Sequence, residues 1–83
     1  MFYVYVLVSE LRNYIYVGMT DYLDRRINSH NQGYNKTTRA YRPFWILFTE
    51  QYSTRIAARA REKYLKSGVG KEFIKAVLKA TQR

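Results

Sequence analysis

Alternating side chains in residues 2–8 and 14–19 constrain the fold more than any other feature of the chain. The first segment reads Phe-Tyr-Val-Tyr-Val-Leu-Val and the second reads Tyr-Ile-Tyr-Val-Gly-Met. Both are rich in the β-branched and aromatic residues that favour strands. Because residues 9–13 between them are suited to a short turn, the two segments are predicted to form an antiparallel hairpin.

The predicted hairpin has two chemically different faces, because successive side chains of a strand point in opposite directions. One face is mainly aliphatic and carries Phe2, Val4, Val6, Val8, Ile15, Val17 and Met19. The other face, called here the tyrosine face, carries Tyr3, Tyr5, Leu7, Tyr14, Tyr16 and Gly18. Since glycine has no side chain, Gly18 is predicted to leave a space beside Tyr16.

Residues 20–48 are predicted to contain a helix, a loop and a third strand. Thr20 or Asp21 can cap a helix that runs to about residue 31, with Leu23 and Ile27 four residues apart on its apolar stripe. Residues 32–42 are polar and basic without periodicity, which predicts a loop closed by Pro43. The apolar run 44–48 predicts a short strand that is covered on both faces.

The remainder of the chain is predicted to be helical. Ser53 or Thr54 can cap a second helix that ends near residue 66, with an apolar stripe formed by Ile56, Ala57, Ala60 and Tyr64. Residues 68–70, Gly-Val-Gly, are expected to break it before a third helix. The order β-β-α-β-α-α with a right-handed crossover favours a three-stranded antiparallel sheet in the order 2-1-3. We therefore predict an α+β fold with one domain over residues 1–83.

Composition restricts the functional classes. Lys and Arg total 15 against six acids, which gives a net charge of +9, and there is no cysteine. Disulfides, thiolate zinc sites and cysteine nucleophiles are therefore excluded. The apolar run 1–8 is too short for a signal peptide or a membrane span, so we expect a cytoplasmic protein with no membrane partner. The excess positive charge favours a nucleic acid partner over a small basic domain that is merely soluble.

Candidate nucleic-acid-binding residues lie in the predicted loop and on the later helices. The loop combines cations with rings that can stack on a base, although an ordinary mobile loop can have the same composition. The helices offer further cations for phosphate contacts. The complete set is Lys36, Arg39, Arg42, Arg59, Lys66 and Lys71.

Three residues stand out as candidates for catalysis. Arg26 and His30 are four residues apart and therefore share one helix face, although each is also explained as a solvated or helix-terminal cation. Glu62 is the one acid between Gln51 and Lys71. Its carboxylate is either an oxygen ligand for a divalent cation or a member of surface ion pairs with its basic neighbours.

The sequence Tyr3-Val4-Tyr5 followed by Tyr16-Val17-Gly18 resembles the paired strand motifs of the GIY-YIG nucleases. Tyr3 stands for the first glycine of that pattern, and Val17 stands for its isoleucine. Arg26, His30 and Glu62 follow in the order of the family, and the resemblance covers nearly the whole chain. The chain is most similar to short stand-alone members, in which the nuclease domain is the entire protein.

The resemblance implies metal-dependent hydrolysis of DNA phosphodiester bonds, usually with one Mg²⁺ or Mn²⁺. It implies a catalytic set of Tyr5, Tyr16, Arg26, His30 and Glu62, with Glu62 as the metal ligand and Gly18 as a structural residue. In the expected mechanism Tyr16 accepts a proton from the attacking water, alone or in relay with His30 or Tyr5, and Arg26 stabilises the developing charge. Whether Tyr16 or His30 is the base stays open at this point.

Three functions are consistent with the sequence. We predict an endonuclease directed by DNA structure, such as branched or single-stranded DNA, because the chain contains no added element for sequence readout. A protein partner can supply further specificity. The first alternative is a basic nucleic-acid-binding module with little or no turnover. A second alternative is an interaction subunit whose basic face binds an acidic protein.

Overall fold

The computed structural model describes residues 1–81, so the last two residues of the predicted domain lie outside the described part. Its elements are β1 (Phe2–Ser9), β2 (Ile15–Thr20), α1 (Leu23–Gln32), a 3₁₀ turn (Arg39–Tyr41), β3 (Phe44–Tyr52), α2 (Arg55–Lys66) and α3 (Gly68–Ala80). The three strands form one antiparallel sheet in the order β2-β1-β3. The α+β fold and the predicted strand order are confirmed. No helix among residues 1–81 combines the length and the apolar character needed to cross a membrane.

The predicted division of the hairpin into two faces is confirmed, and each face has its own core. On the aliphatic face, the valines of β1 and β2 pack against α2 and α3 in a cluster of Val4, Val6, Val17, Ala58, Leu65 and Ile74. On the tyrosine face, the buried residues Tyr5, Leu7 and Phe44 pack against Leu23 and Ile27 of α1. The sheet is therefore the middle layer between α1 on one side and the α2–α3 pair on the other.

The start of α1 differs from the prediction. The helix begins at Leu23 after Tyr22, and no side chain caps its first turn. Thr20 is still part of β2, and its hydroxyl instead accepts a hydrogen bond from the Tyr22 amide at 3.1 Å. Thr20 therefore closes the turn that leaves the sheet, and the predicted caps Thr20 and Asp21 were both wrong.

Strand β3 is longer and less covered than the apolar run 44–48 indicated. Its second half, which is more polar, pairs with the start of β1, with Thr49 opposite Tyr5 and Tyr52 opposite Phe2. The strand therefore extends as far as its partner allows, beyond the end of the apolar run. Ile46 is 43% exposed, so the expectation that both faces are covered was wrong.

The buried face of α2 also differs from the predicted stripe. Ile56 is 83% exposed and Tyr64 is 42% exposed, whereas the inward positions are Ala58, Glu62 and Leu65. These three residues have the spacing i, i+4 and i+7 of one helix face. The sequence pattern was misleading because this face contains a charged residue and a small alanine, while larger apolar residues lie outside.

The predictions for the helix caps near α2 and α3 had mixed outcomes. Thr54 caps α2, as predicted, by accepting a hydrogen bond from the Ala57 amide at 3.1 Å. Helix α3 begins at Gly68 with Ser67 as its cap, whereas the prediction placed its start after residue 70. Gly70 lies inside the first turn and against the backbone of Tyr64 and Leu65. Its lack of a side chain allows α2 and α3 to approach closely, so it does not act as a helix breaker.

Candidate active site

A buried tyrosine connects the two candidate residues of α1. The Tyr5 hydroxyl accepts a hydrogen bond from Arg26 Nε at 3.3 Å and lies 3.0 Å from His30 Nε2. Arg26 and His30 are one turn apart on α1 and share the face that packs on the sheet, as the sequence predicted. The fold therefore brings Tyr5, Arg26 and His30 together in one hydrogen-bonded cluster.

His30 is completely buried and is bonded through both ring nitrogens. Its Nδ1 atom lies 2.8 Å from the hydroxyl of Thr38, which is also completely buried. Thr38 belongs to the segment between α1 and β3, so that segment is fixed to α1 at this point. A threonine in a polar loop gives no motif, and sequence reasoning therefore missed this residue.

Burial determines the protonation states of the cluster. Burial, together with the positive charge of Arg26, lowers the pKa of His30 to about 4. Burial raises the pKa of the Tyr5 phenol to about 12, although the hydrogen bond from Arg26 acts in the opposite direction. The Tyr5 bond in turn raises the pKa of Arg26, and the Tyr16 hydroxyl adds to this effect. Near pH 7, Tyr5 and His30 are therefore neutral and Arg26 is charged.

We assign the direction of each hydrogen bond from these protonation states and from the two polar partners of the buried Tyr5 hydroxyl. The oxygen of neutral Tyr5 accepts a hydrogen bond from Arg26, and its own proton is directed to His30 Nε2. Neutral His30 then carries its proton on Nδ1, from which it donates to Thr38. With one nitrogen accepting and the other donating inside the protein, His30 is suited to positioning Tyr5 and Arg26.

Tyr16, the second tyrosine of the predicted catalytic set, is half-buried. It lies on β2, which is at one edge of the sheet. Its ring centroid is 4.8 Å from that of His30 and 6.2 Å from that of Tyr5. Tyr16 is therefore beside the buried cluster and is more accessible than Tyr5, which is completely buried.

The predicted space at Gly18 is filled. Gly18 lies directly opposite Tyr5 in the sheet. A Cβ atom on Gly18 would overlap the hydroxyl end of the Tyr5 ring and would lie 2.9 Å from Cε2 of Tyr16. The prediction of an open space beside Tyr16 was therefore wrong, because the phenol of Tyr5 occupies it. Gly18 remains structural, since it admits the side chain that holds Arg26.

Glu62 lies on α2, which packs on the face of the sheet opposite to Tyr5, Arg26 and His30. The residue is buried, with 7% of its surface exposed. Its two carboxylate oxygens accept hydrogen bonds from Arg59 Nη1 at 2.6 Å and from Lys66 Nζ at 3.1 Å. Burial acts to raise the pKa of Glu62, but the hydrogen bonds and charges of Arg59 and Lys66 outweigh it, so its pKa lies below the usual range. The carboxylate is also a minor contributor to the raised pKa of Tyr5.

Glu62 is chemically suitable as a ligand for a divalent cation whose coordination shell is completed by the substrate and water. Within residues 1–81, no group of three or more His, Cys, Asp or Glu side chains forms a metal cage. Magnesium is commonly held by one or two carboxylates together with substrate phosphates and water, without such a cage. Each oxygen of the ionised Glu62 accepts one protein hydrogen bond and has lone-pair capacity for a further contact.

The predicted nucleic-acid-binding residues are divided between the two sides of the sheet. Lys36, Arg39 and Arg42 are exposed in the segment that Thr38 fixes to α1. On the other side, Arg59 and Lys66 flank Glu62 on α2, and Lys71 lies on α3. The structure therefore does not unite these six cations in one patch.

Comparisons with known proteins give a family match over most of the chain. The family described as the GIY-YIG catalytic domain matches residues 1–74. A UPF0213 protein of Clostridium perfringens (strain 13 / Type A) is 36% identical over 67 residues, which cover 80% of this chain and 71% of that protein. No solved structure matches the chain.

Proposed function

The chain belongs to the GIY-YIG family of nuclease domains, and from that premise we propose that it is an endonuclease that hydrolyses DNA with the help of Mg²⁺ or Mn²⁺. The observation that carries this proposal is the fixed position of Arg26. Its Nε atom is bonded to a tyrosine that is itself held by His30. A guanidinium fixed in this way is ready to stabilise negative charge without reorganisation.

We propose that Arg26 stabilises the negative charge of the phosphorane-like transition state. Because Nε is the atom bonded to Tyr5, the two terminal amino groups provide donors for phosphate oxygens. Paired donors of this kind match the geometry of a phosphate and form charge-assisted hydrogen bonds. The hydrogen bond from Nε keeps the plane of the guanidinium constant while the charge develops.

Tyr16 is the proposed proton acceptor for the attacking water. The other two candidates are less suitable for chemical reasons. Burial keeps Tyr5 protonated, with a pKa of about 12, and both nitrogens of buried His30 are bonded to Tyr5 and Thr38. Tyr16 is the half-buried residue of the set and lies beside Arg26 in the same cluster.

Glu62 is the proposed holder of the divalent cation. When bound, the cation would neutralise charge on the phosphate and on the departing oxygen. The low pKa of Glu62 keeps the carboxylate ionised, as a ligand for a hard cation must be. Arg59 and Lys66 hold both of its oxygens in place.

A second candidate function is nucleic acid binding with little turnover. One observation favours it, namely that Arg59 and Lys66 already neutralise the carboxylate of Glu62. If these two cations compete successfully with the metal, the domain binds DNA through its net charge of +9 without cutting it. In either case, we propose that selectivity comes from the structure of the DNA or from a protein partner. A location in the cytoplasm stays a prediction.

Nicking of supercoiled plasmid with Mg²⁺ or Mn²⁺, with and without EDTA, tests the proposal. The wild type should nick the DNA and lose this activity in EDTA. Glu62→Gln should lose on the order of 10²-fold or more in rate while DNA binding is retained or slightly strengthened. Glu50→Gln is the matched control, because Glu50 is also a partly buried carboxylate paired with an α2 arginine, Arg61.

The outcomes separate the two candidate functions. Equal rates for the wild type and Glu62→Gln would contradict the proposed metal ligand. Salt-sensitive DNA binding by the wild type without nicking would support the binding module. A wild type that neither nicks nor binds DNA would contradict both functions. Circular dichroism of both variants shows whether a lost rate reflects a lost fold.

A further inference from the structure

A groove of about 300 Å³ lies between the edge strand β2 and the α2–α3 pair. Its floor is apolar and is formed by Ile15, Val17, Leu65 and Ile74. Three lysines from the two helices, Lys66, Lys71 and Lys75, complete its lining together with Asn13 and Tyr16. Its volume is at the lower end of the range for small-ligand sites, about 300–1,000 Å³.

The charge of the groove favours an anionic occupant. No acidic residue is among the described residues that line it. Lys71 and Lys75 are four residues apart and therefore share one face of α3. The contact of Lys75 with exposed Glu72 is long, at 3.9 Å, and such a pair contributes little against solvent.

The groove is continuous with the proposed catalytic residues. Tyr16, the proposed proton acceptor, is one of its lining residues. Lys66 also lines it and donates to the carboxylate of Glu62, the proposed metal ligand. A DNA strand that is cut between Tyr16 and Glu62 would therefore pass residues that line this groove.

We propose that the groove binds one unpaired nucleotide of the DNA strand, next to the phosphodiester bond that is cut. This inference rests on the proposed nuclease function and specifies its substrate. The lysine ammonium groups bind the phosphate, and the base lies against Ile15 and the apolar stems of the lysines. A base in a duplex is stacked and paired and must first be extruded, which costs a few kcal/mol. The groove therefore selects DNA that is single-stranded beside the cut.

The test compares single-stranded and duplex DNA of the same sequence in the presence of Mn²⁺. The wild type should cut the single strand at least about tenfold faster, as expected from the cost of unpairing a base. The double variant Lys71→Ala, Lys75→Ala should lose most of this preference. Its matched control is Lys63→Ala, Lys79→Ala, which removes the same charge from positions on α2 and α3 that lie outside the groove. The control should slow both substrates equally.

An abasic site moved stepwise along the single strand locates the bound base. The rate should fall at one position beside the cut and stay nearly constant elsewhere. A uniform response to every abasic position, or equal effects of the two double variants, would overturn the proposal. If the edge of β2 instead pairs with a strand of a partner protein, the cleavage rate would not depend on the position of the abasic site.

Failure of the proposed nuclease function is recognised separately. If the wild type cuts none of these substrates, the groove can still be tested by binding. A set of single strands, each with 2-aminopurine at a different position, reports by a change of fluorescence which base enters the groove. A signal at one position that Lys71→Ala, Lys75→Ala abolishes and the control keeps would support the site in a binding module. The same signal at every position, or none, would refute it.

Discussion

The Tyr5 hydroxyl and the Nε2 atom of His30 form a buried hydrogen bond of 3.0 Å, in which we assign the tyrosine as the donor. The buried phenol proton needs an acceptor, and Nε2 of neutral His30 can accept it whereas Arg26 can only donate to this oxygen. His30 must then carry its proton on Nδ1, where Thr38 accepts it at 2.8 Å. Four residues from β1, α1 and the following segment therefore form one directed chain of hydrogen bonds.

We predict that ¹⁵N NMR of the single histidine shows the Nδ1–H tautomer at pH 7. Thr38→Val removes the acceptor while keeping the shape, which leaves a buried donor unsatisfied at a cost of about 1–3 kcal/mol. The tautomer should become mixed, and the cleavage rate should fall because Tyr5 no longer holds Arg26 in one orientation. Thr38→Ser should restore both properties. The exposed neighbour Thr37, changed to Val, is the control.

The pH dependence of stability should reveal the same histidine. Because its folded pKa is about 4 and its ordinary pKa is 6.5, only the unfolded chain binds this proton between these values. The free energy of unfolding should therefore fall as the pH is lowered from about 6.5 to 4, by on the order of 3 kcal/mol. Denaturant unfolding above pH 5 separates this effect from carboxylate titration. A wild type and a His30→Gln variant with the same slope would contradict the assignment.

Two adjacent arginines provide a matched comparison. Arg26 Nε is bonded to Tyr5, whereas Arg25 is exposed and lies over the ring of Tyr22 at 5.7 Å. Arg26→Ala should reduce the rate on the order of 10²-fold or more, as for the loss of one transition-state donor. Arg25→Ala should mainly weaken DNA binding and reduce its salt dependence. Equal losses of rate would mean that both residues act through bulk charge.

Gly18 should respond to substitution through Tyr5. In Gly18→Ala the added methyl group overlaps the phenol of Tyr5, and overpacking of this kind typically costs about 1–3 kcal/mol. The displaced phenol should also release Arg26, so the rate should fall along with the melting temperature. Gly68→Ala is the control, because no described atom lies within 4 Å of a Cβ at that position. An unchanged Gly18→Ala protein would contradict the close packing of Tyr5.

The sequence predicted those features that depend on periodicity. Alternation in residues 2–8 correctly separated the valine and tyrosine faces, and the spacing of Arg26 and His30 correctly placed them on one side of α1. Strand order followed from the element order and the handedness of the crossover.

Features that depend on long-range packing were not predictable. The bond between His30 and Thr38 depends on how the loop folds back on α1. The inward position of Glu62 depends on its pairing with Arg59 and Lys66, which offsets the cost of burying a carboxylate. The filled space at Gly18 depends on the register between β1 and β2, which no single residue type encodes.

Substitution of Tyr16 tests the proposed mechanism most directly. Tyr16→Phe keeps the ring beside His30 and removes only the hydroxyl, so the melting temperature should change little. If that oxygen accepts the proton of the water, the rate should fall about 10²–10⁴-fold, with DNA binding nearly unchanged. Tyr14→Phe is the control, because it removes a hydroxyl two residues away on the same face, where the ring is stacked on Tyr41.

The pH–rate profile of the wild type distinguishes Tyr16 from its rival. A histidine base with its ordinary pKa would give an acidic limb near pH 6.5, but burial lowers the pKa of His30 to about 4. If Tyr16 is the base, the wild-type profile should contain no acidic limb near pH 6.5 that the His30→Gln substitution removes. His30→Gln should lose rate through the loosened Tyr5 and Arg26, and Tyr5→Phe should share this loss. A Tyr16→Phe enzyme within a few-fold of the wild type, beside an inactive His30→Gln enzyme, would instead make His30 the base.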